Sequence, residues 1–128
     1  MEAICLFAIA VVFLNFILPR RGSCRGGQLT AAASQIAILK EALETFKDGT
    51  GFYPTGAKGL ETLVRRPIGI TNWHGPYIQS IPKDPWGRDY LYECPGMHVA
   101  LGYPYDLFSL GPQGGSFPIA NWGYGVKP

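Results

Sequence analysis

QLTAAASQIAILKEALETFK, residues 28 to 47, decides how the rest of the chain is read. Leu29, Ala32, Ile36, Leu39, Leu43 and Phe46 recur at alternating steps of three and four, which puts them on one stripe of an α-helix. Such a stripe is a core face, so the helix needs a second layer to cover it. Asp48, Gly49, Thr50 and Gly51 end the pattern, and Gly49 is free to take the left-handed conformation that stops helices. Beyond Tyr53-Pro54 the composition turns to aromatics and turn formers. Gly59 to Arg66 reads as a short helix halted before Pro67. Tyr90 to Tyr92, Met97 to Ala100 and Tyr105 to Leu110 read as short strands, with Pro95-Gly96 a turn between the first two. The expected fold is α+β: a long N-terminal hinged helix packed on a small antiparallel β-sheet.

Upstream of the helix lies MEAICLFAIAVVFLNFILP, residues 1 to 19. Ala3 to Leu18 is apolar except for Asn15, and the run is bracketed by Glu2 and Pro19. Its length corresponds to about 24 Å of helix, against a hydrocarbon core of about 30 Å. A cleaved secretory signal is one reading, but the start carries Glu2 and no Lys or Arg, and no small-x-small site follows. A retained membrane helix, truncated at its start, fits better. An acid in such a segment costs about 2.5–3.5 kcal/mol at mid-bilayer, so Glu2 calls for a partner. Residues 20 to 27, RRGSCRGG, form an Arg/Gly-rich hinge whose arginines suit the headgroup edge, and residues 28 to 128 form one domain.

The chain has 128 residues and a formal net charge of +2. From Gly26 onward eight Lys or Arg balance eight Asp or Glu, so the domain is neutral and offers no electrostatic footprint for nucleic acid. Cys5 lies in the apolar run, which leaves Cys24 and Cys94 as the one pair that a disulfide could join; spacing does not decide it. No GxSxG, HExxH or GxxxxGK[ST] is present, so the usual local geometries for a nucleophile, a zinc protease and a nucleotide site are missing. Cys94, His98 and His74 are weak metal candidates without a fourth ligand, and Asp48 to Gly51 is too poor in acids for an EF-hand. Trp73, Tyr77, Trp86, Tyr103, Tyr105 and Trp122 are either core or a platform for a glycan or peptide.

Four segments, IAILKEALETFKDGTGFYPT (36 to 55), GLETLVRRP (59 to 67), GPYIQSIPKDPWGRDYLYECPG (75 to 96) and YDLFSLGPQGG (105 to 115), resemble the major pseudopilin of the bacterial type II secretion system, general secretion pathway protein G. The spacing of Glu2 and Pro19 also matches the acid and proline of that family's membrane helix. The resemblance implies a type IV pilin-like fold and no enzymatic activity. It implies a subunit that is cut and methylated after prepilin peptidase processing, and that polymerises in the inner membrane into a periplasmic filament. That filament, with other pseudopilins and the inner-membrane platform, helps move folded proteins through the secretin. A type IV pilin or minor pseudopilin is the near alternative, and a membrane-anchored glycan- or peptide-binding domain the distant one.

Carried over residue by residue, the resemblance makes Glu2 the assembly acid, paired with a neighbour's amino terminus, and Pro19 the bend in the membrane helix. Pro82, Asp84, Pro85, Trp86 and Gly87 form a structural turn, with the prolines and Gly87 fixing the backbone and Trp86 anchoring it. Two departures stand out. The family's leader and its phenylalanine are not in this chain and are expected upstream of Met1. The family's calcium-binding aspartates are replaced by Gln113 and by Pro118 before Ile119, so no metal cofactor is expected.

Overall fold

The structure, a computed structural model, describes residues 25–112 and 118–124. Helix α1 runs Arg25–Thr50 over 26 residues, about 39 Å. Ala32, Ile36, Leu39, Leu43 and Phe46 are buried and Leu29 packs partly buried beside them, so the whole expected stripe faces the core, joined by Ala42. Gly26 and Gly27, read as part of the hinge, are helical here. The helix ends later than Asp48 suggests. Thr50 Oγ1 donates to the Phe46 carbonyl at 2.8 Å, and Gly51 N donates to Lys47 O at 2.6 Å. Gly51, at φ +90°, and not Gly49, takes the left-handed conformation.

Four short strands follow, β1 (Leu91–Glu93), β2 (Asp106–Ser109), β3 (Ile119–Ala120) and β4 (Gly123–Tyr124), in the order β1-β2-β3-β4 with every pair antiparallel. Tyr92 sits opposite Leu107, and Ser109 opposite Ile119. Tyr92, Leu107 and Ile119 are buried and join the α1 stripe in one core, and α1 lies against β2 and β3. Asn121 adds a side-chain rung to this ladder. Its Oδ1 accepts from Leu107 N and its Nδ2 donates to Tyr105 O, each at 2.9 Å.

Two expectations are corrected. Gly59 to Arg66 makes only a 3₁₀ turn, Gly59–Leu63, which buries Leu60 and Leu63. Gly59 lies so close to the Tyr92 ring that a Cβ there would come within 2.4 Å of it. Met97 to Ala100 is not a strand: Val99–Leu101 is a second 3₁₀ turn, closed by Gly102 at φ +91°. The backbone groups a ladder would need are spent elsewhere. Met97 N donates to the Asp106 carboxylate, and Leu101 N and Gly102 N to His98 O and Val99 O. The partner of β1 is therefore β2, reached across a loop. The two-residue strands β3 and β4 extend the sheet beyond the strands expected from the sequence.

Candidate functional site

The turn containing Pro82 to Gly87 is organised by Asp84, with Trp86 packed against the core beside it. Asp84 is 3% exposed, and its carboxylate accepts three hydrogen bonds: Trp86 N at 3.0 Å, Arg88 N at 2.8 Å and Ser109 Oγ at 2.7 Å. The first two close the turn upon itself, helped by Gly87 at φ +83°, whose N donates to Asp84 O at 2.9 Å. The third bond ties the turn to β2. Ser109, at 0% exposure, passes the connection on by accepting from Gly111 N at 3.0 Å, and the Arg88 guanidinium donates to the Gly111 carbonyl. Trp86 packs partly buried against the core, and Gln28 Nε2 reaches the Pro85 carbonyl at 3.5 Å from the first turns of α1. The exposed Lys83–Asp89 ion pair adds little.

A second buried carboxylate, Asp106, 2% exposed, accepts from Met97 N at 2.9 Å and faces His98 Nδ1 at 3.0 Å. The His98 ring stacks on Trp122 with centroids 4.1 Å apart. Gly96 presses on the same carboxylate, since a Cβ there would lie 2.4 Å from Asp106 Oδ1. An Asp–His pair is one part of a catalytic triad, but no serine, threonine or cysteine is hydrogen-bonded to His98 among the described residues. This pair anchors the loop between β1 and β2.

Cys94 is a free thiol directed at the Pro104 carbonyl, 3.6 Å away, and Cys24 lies outside the described residues. Among the described residues no group of three or more His, Cys, Asp or Glu side chains is placed to hold a metal ion. The aromatic side chains form separate packing clusters. Trp73 meets Tyr77 edge-on, Tyr77 meets Phe46, and Tyr105 meets Tyr53 and Tyr92. Trp73 Nε1 is spent on the Thr62 carbonyl at 2.7 Å. These contacts use Trp73, Tyr77 and Tyr105 in packing, which favours the core reading of those three rings.

Burial pushes the Tyr90 phenol up to about 12, with the Asp84 charge adding to it, and also raises Tyr92 and Tyr105. Tyr92 donates to Pro54 O at 2.7 Å and Tyr90 to Gln35. The unfolded chain loses these protons near pH 10 while the folded chain holds them. Stability is therefore complete below about pH 10 and falls above it, at up to about 1.4 kcal/mol per pH unit for each tyrosine. A thermal melt series from pH 8 to 12 checks this, with a steep loss expected only above about pH 10.

Glu2 and Pro19, the expected assembly residues, lie outside the described residues. No helix among the described residues is long and apolar enough to cross a membrane. The described residues thus hold two buried carboxylate anchors, a stalk-like helix and a small sheet.

Comparison with known proteins decides the family. Residues 21–117 match the family model for the type II secretion system protein G. The chain belongs to the type II secretion system protein G family. It is 35% identical to type II secretion system core protein G of Escherichia coli K12, over 99% of this chain and 90% of that protein. It is 33% identical to the Klebsiella pneumoniae protein of the same description, over 99% of this chain and 94% of that one. Its fold matches the crystal structure of the major pseudopilin from the type 2 secretion system of enterohaemorrhagic Escherichia coli, with a TM-score of 0.68 and 30% identity, covering 83% of this chain and 96% of that one. The fold is type IV pilin-like, and a protein G family member is a structural subunit, not an enzyme.

Proposed function

We propose that this chain is a structural subunit of a type II secretion pseudopilus, polymerising from the inner membrane to help export folded proteins through the outer-membrane secretin. Residues 1 to 19 act as the single membrane helix, and the domain from residue 28 stands in the periplasm. Its partners are further copies of itself, other pseudopilins and the inner-membrane platform, together with prepilin peptidase if a leader is encoded upstream. The observation that carries this reading is the docking of α1 on the small sheet, the architecture shared with the Escherichia coli major pseudopilin. The outward face of α1, which includes Ala33, Ala37 and the 58% exposed Ile38, is left open to neighbouring subunits.

The test is Glu2→Leu. Removing a carboxylate from hydrocarbon, where it costs about 2.5–3.5 kcal/mol, leaves membrane insertion intact. A neighbour's amino terminus then loses its partner, and assembly is expected to stop. The measurement is the membrane-fraction amount together with the crosslinking ladder in cells carrying the secretion machinery. An undiminished ladder in the variant would count against the role of Glu2.

A further inference from the structure

We propose that the guanidinium of Arg88 holds the start of the loop between β2 and β3 in place of a bound cation, making this fold independent of calcium. The inference rests on the family reading above and on a closed circuit of hydrogen bonds. Arg88 N donates to Asp84 Oδ1 at 2.8 Å, and Asp84 Oδ2 accepts from Ser109 Oγ at 2.7 Å. Ser109 Oγ in turn accepts from Gly111 N at 3.0 Å, and the Gly111 carbonyl accepts from Arg88 Nη1. The circuit begins and ends on one residue. Gly111 is buried with φ +70°, so the chain leaves β2 by a backbone turn fixed on both its N–H and its carbonyl.

The residues present do not suit calcium. A calcium site takes six to eight oxygens, several of them from carboxylates. After Glu93 the sequence has one acid, Asp106, at the far end of β2, about 10 Å of strand from Ser109; its Oδ2 is taken by Met97 N and His98 Nδ1, and its Oδ1 is buried against Gly96 without a hydrogen-bond partner. Both Asp84 oxygens already accept from protein donors, and the Gly111 carbonyl is committed to a cationic side chain. A guanidinium at that carbonyl repels a divalent ion and supplies the charge-assisted bond an ion would have made.

The experiment is thermal unfolding of the full chain in detergent micelles, in about 1 mM calcium and in excess chelator, for the native protein, Arg88→Met, Arg88→Lys and Lys83→Met as an exposed control. The native melting temperature is expected to differ by no more than about 2 °C between the two conditions. Arg88→Met is expected to melt at least about 5 °C lower in both, Arg88→Lys in between, and Lys83→Met within about 2 °C of the native protein. If Arg88→Met yields no folded protein, the Arg88→Lys deficit carries the comparison. A native melting temperature that rises by about 5 °C or more with calcium would overturn the proposal. So would Arg88 variants that melt with the Lys83→Met control. Separately, a native chain that melts as expected but assembles into no filaments would sink the proposed function and leave the clasp standing.

Discussion

Asp84→Ala is expected to lower the stability of the domain by about 3 kcal/mol or more, because it strands three donors, one of them fully buried, around a buried carboxylate. Ser109 Oγ, Trp86 N and Arg88 N all lose their acceptor, and Ser109 is fully buried. An unsatisfied buried donor costs about 1–3 kcal/mol, and because the three share one carboxylate their losses are not simply additive. For a domain of this size the melting temperature should fall by roughly 15 °C or more. Asp84→Asn is expected to do about half the damage, since its carbonyl oxygen still accepts the two backbone N–H groups while the Ser109 hydroxyl faces an amide. Circular dichroism melts of the full chain in detergent check both; an alanine variant within about 3 °C of native would contradict the central place given to this carboxylate.

Phe46→Ala carries the other large effect. The ring is 0% exposed at the lower end of the α1 stripe and meets Tyr77 and Phe52 edge-on, with centroids at 5.6 and 6.0 Å. Emptying this position costs about 3–5 kcal/mol, from lost transfer energy and the cavity left behind. The edge-on aromatic contacts lie within that loss. Ile38→Ala, on the same helix but 58% exposed, should change stability by less than about 1 kcal/mol. The pair is read by urea titration, where a lower midpoint at unchanged slope reports stability alone. Equal midpoints for the two variants would mean that α1 does not dock on the sheet through its stripe.

The contrast between these sites explains what was legible in the sequence. The stripe from Leu29 to Phe46 is a local pattern with a helical period, so one segment names both the element and its buried face. β2 was legible for a similar reason, as an apolar run between turn residues. Met97 to Ala100 misled because apolar residues there suggest a strand, while the Asp106 carboxylate and the Gly102 turn claim the backbone. The two-residue strands β3 and β4 are too short for any period to declare itself.

Of the candidate site, the turn from Pro82 to Gly87 was legible through its prolines and glycine, but its organising contact was not. Ser109 lies 25 residues from Asp84, and Arg88 lies 23 from Gly111. Such pairings leave no trace in local spacing. A serine in the YDLFSLG run, on the same side of the strand as the buried Leu107, was the one available signal, since a buried hydroxyl needs a partner. Glu2 and Pro19 stand as residues of the sequence, and their roles are tested in the membrane.

Copies of this chain are proposed to build a filament. The most direct measurement is electron microscopy of filaments sheared from cells that overproduce the full chain, with its native upstream reading frame, beside the assembly machinery of a type II secretion system. Thin filaments that react with antibody to the domain from residue 28 onward, present for the native chain and absent for Glu2→Leu, are the expected result. Stable, membrane-inserted native protein that forms no filaments under conditions where a known major pseudopilin does would contradict filament assembly by this chain.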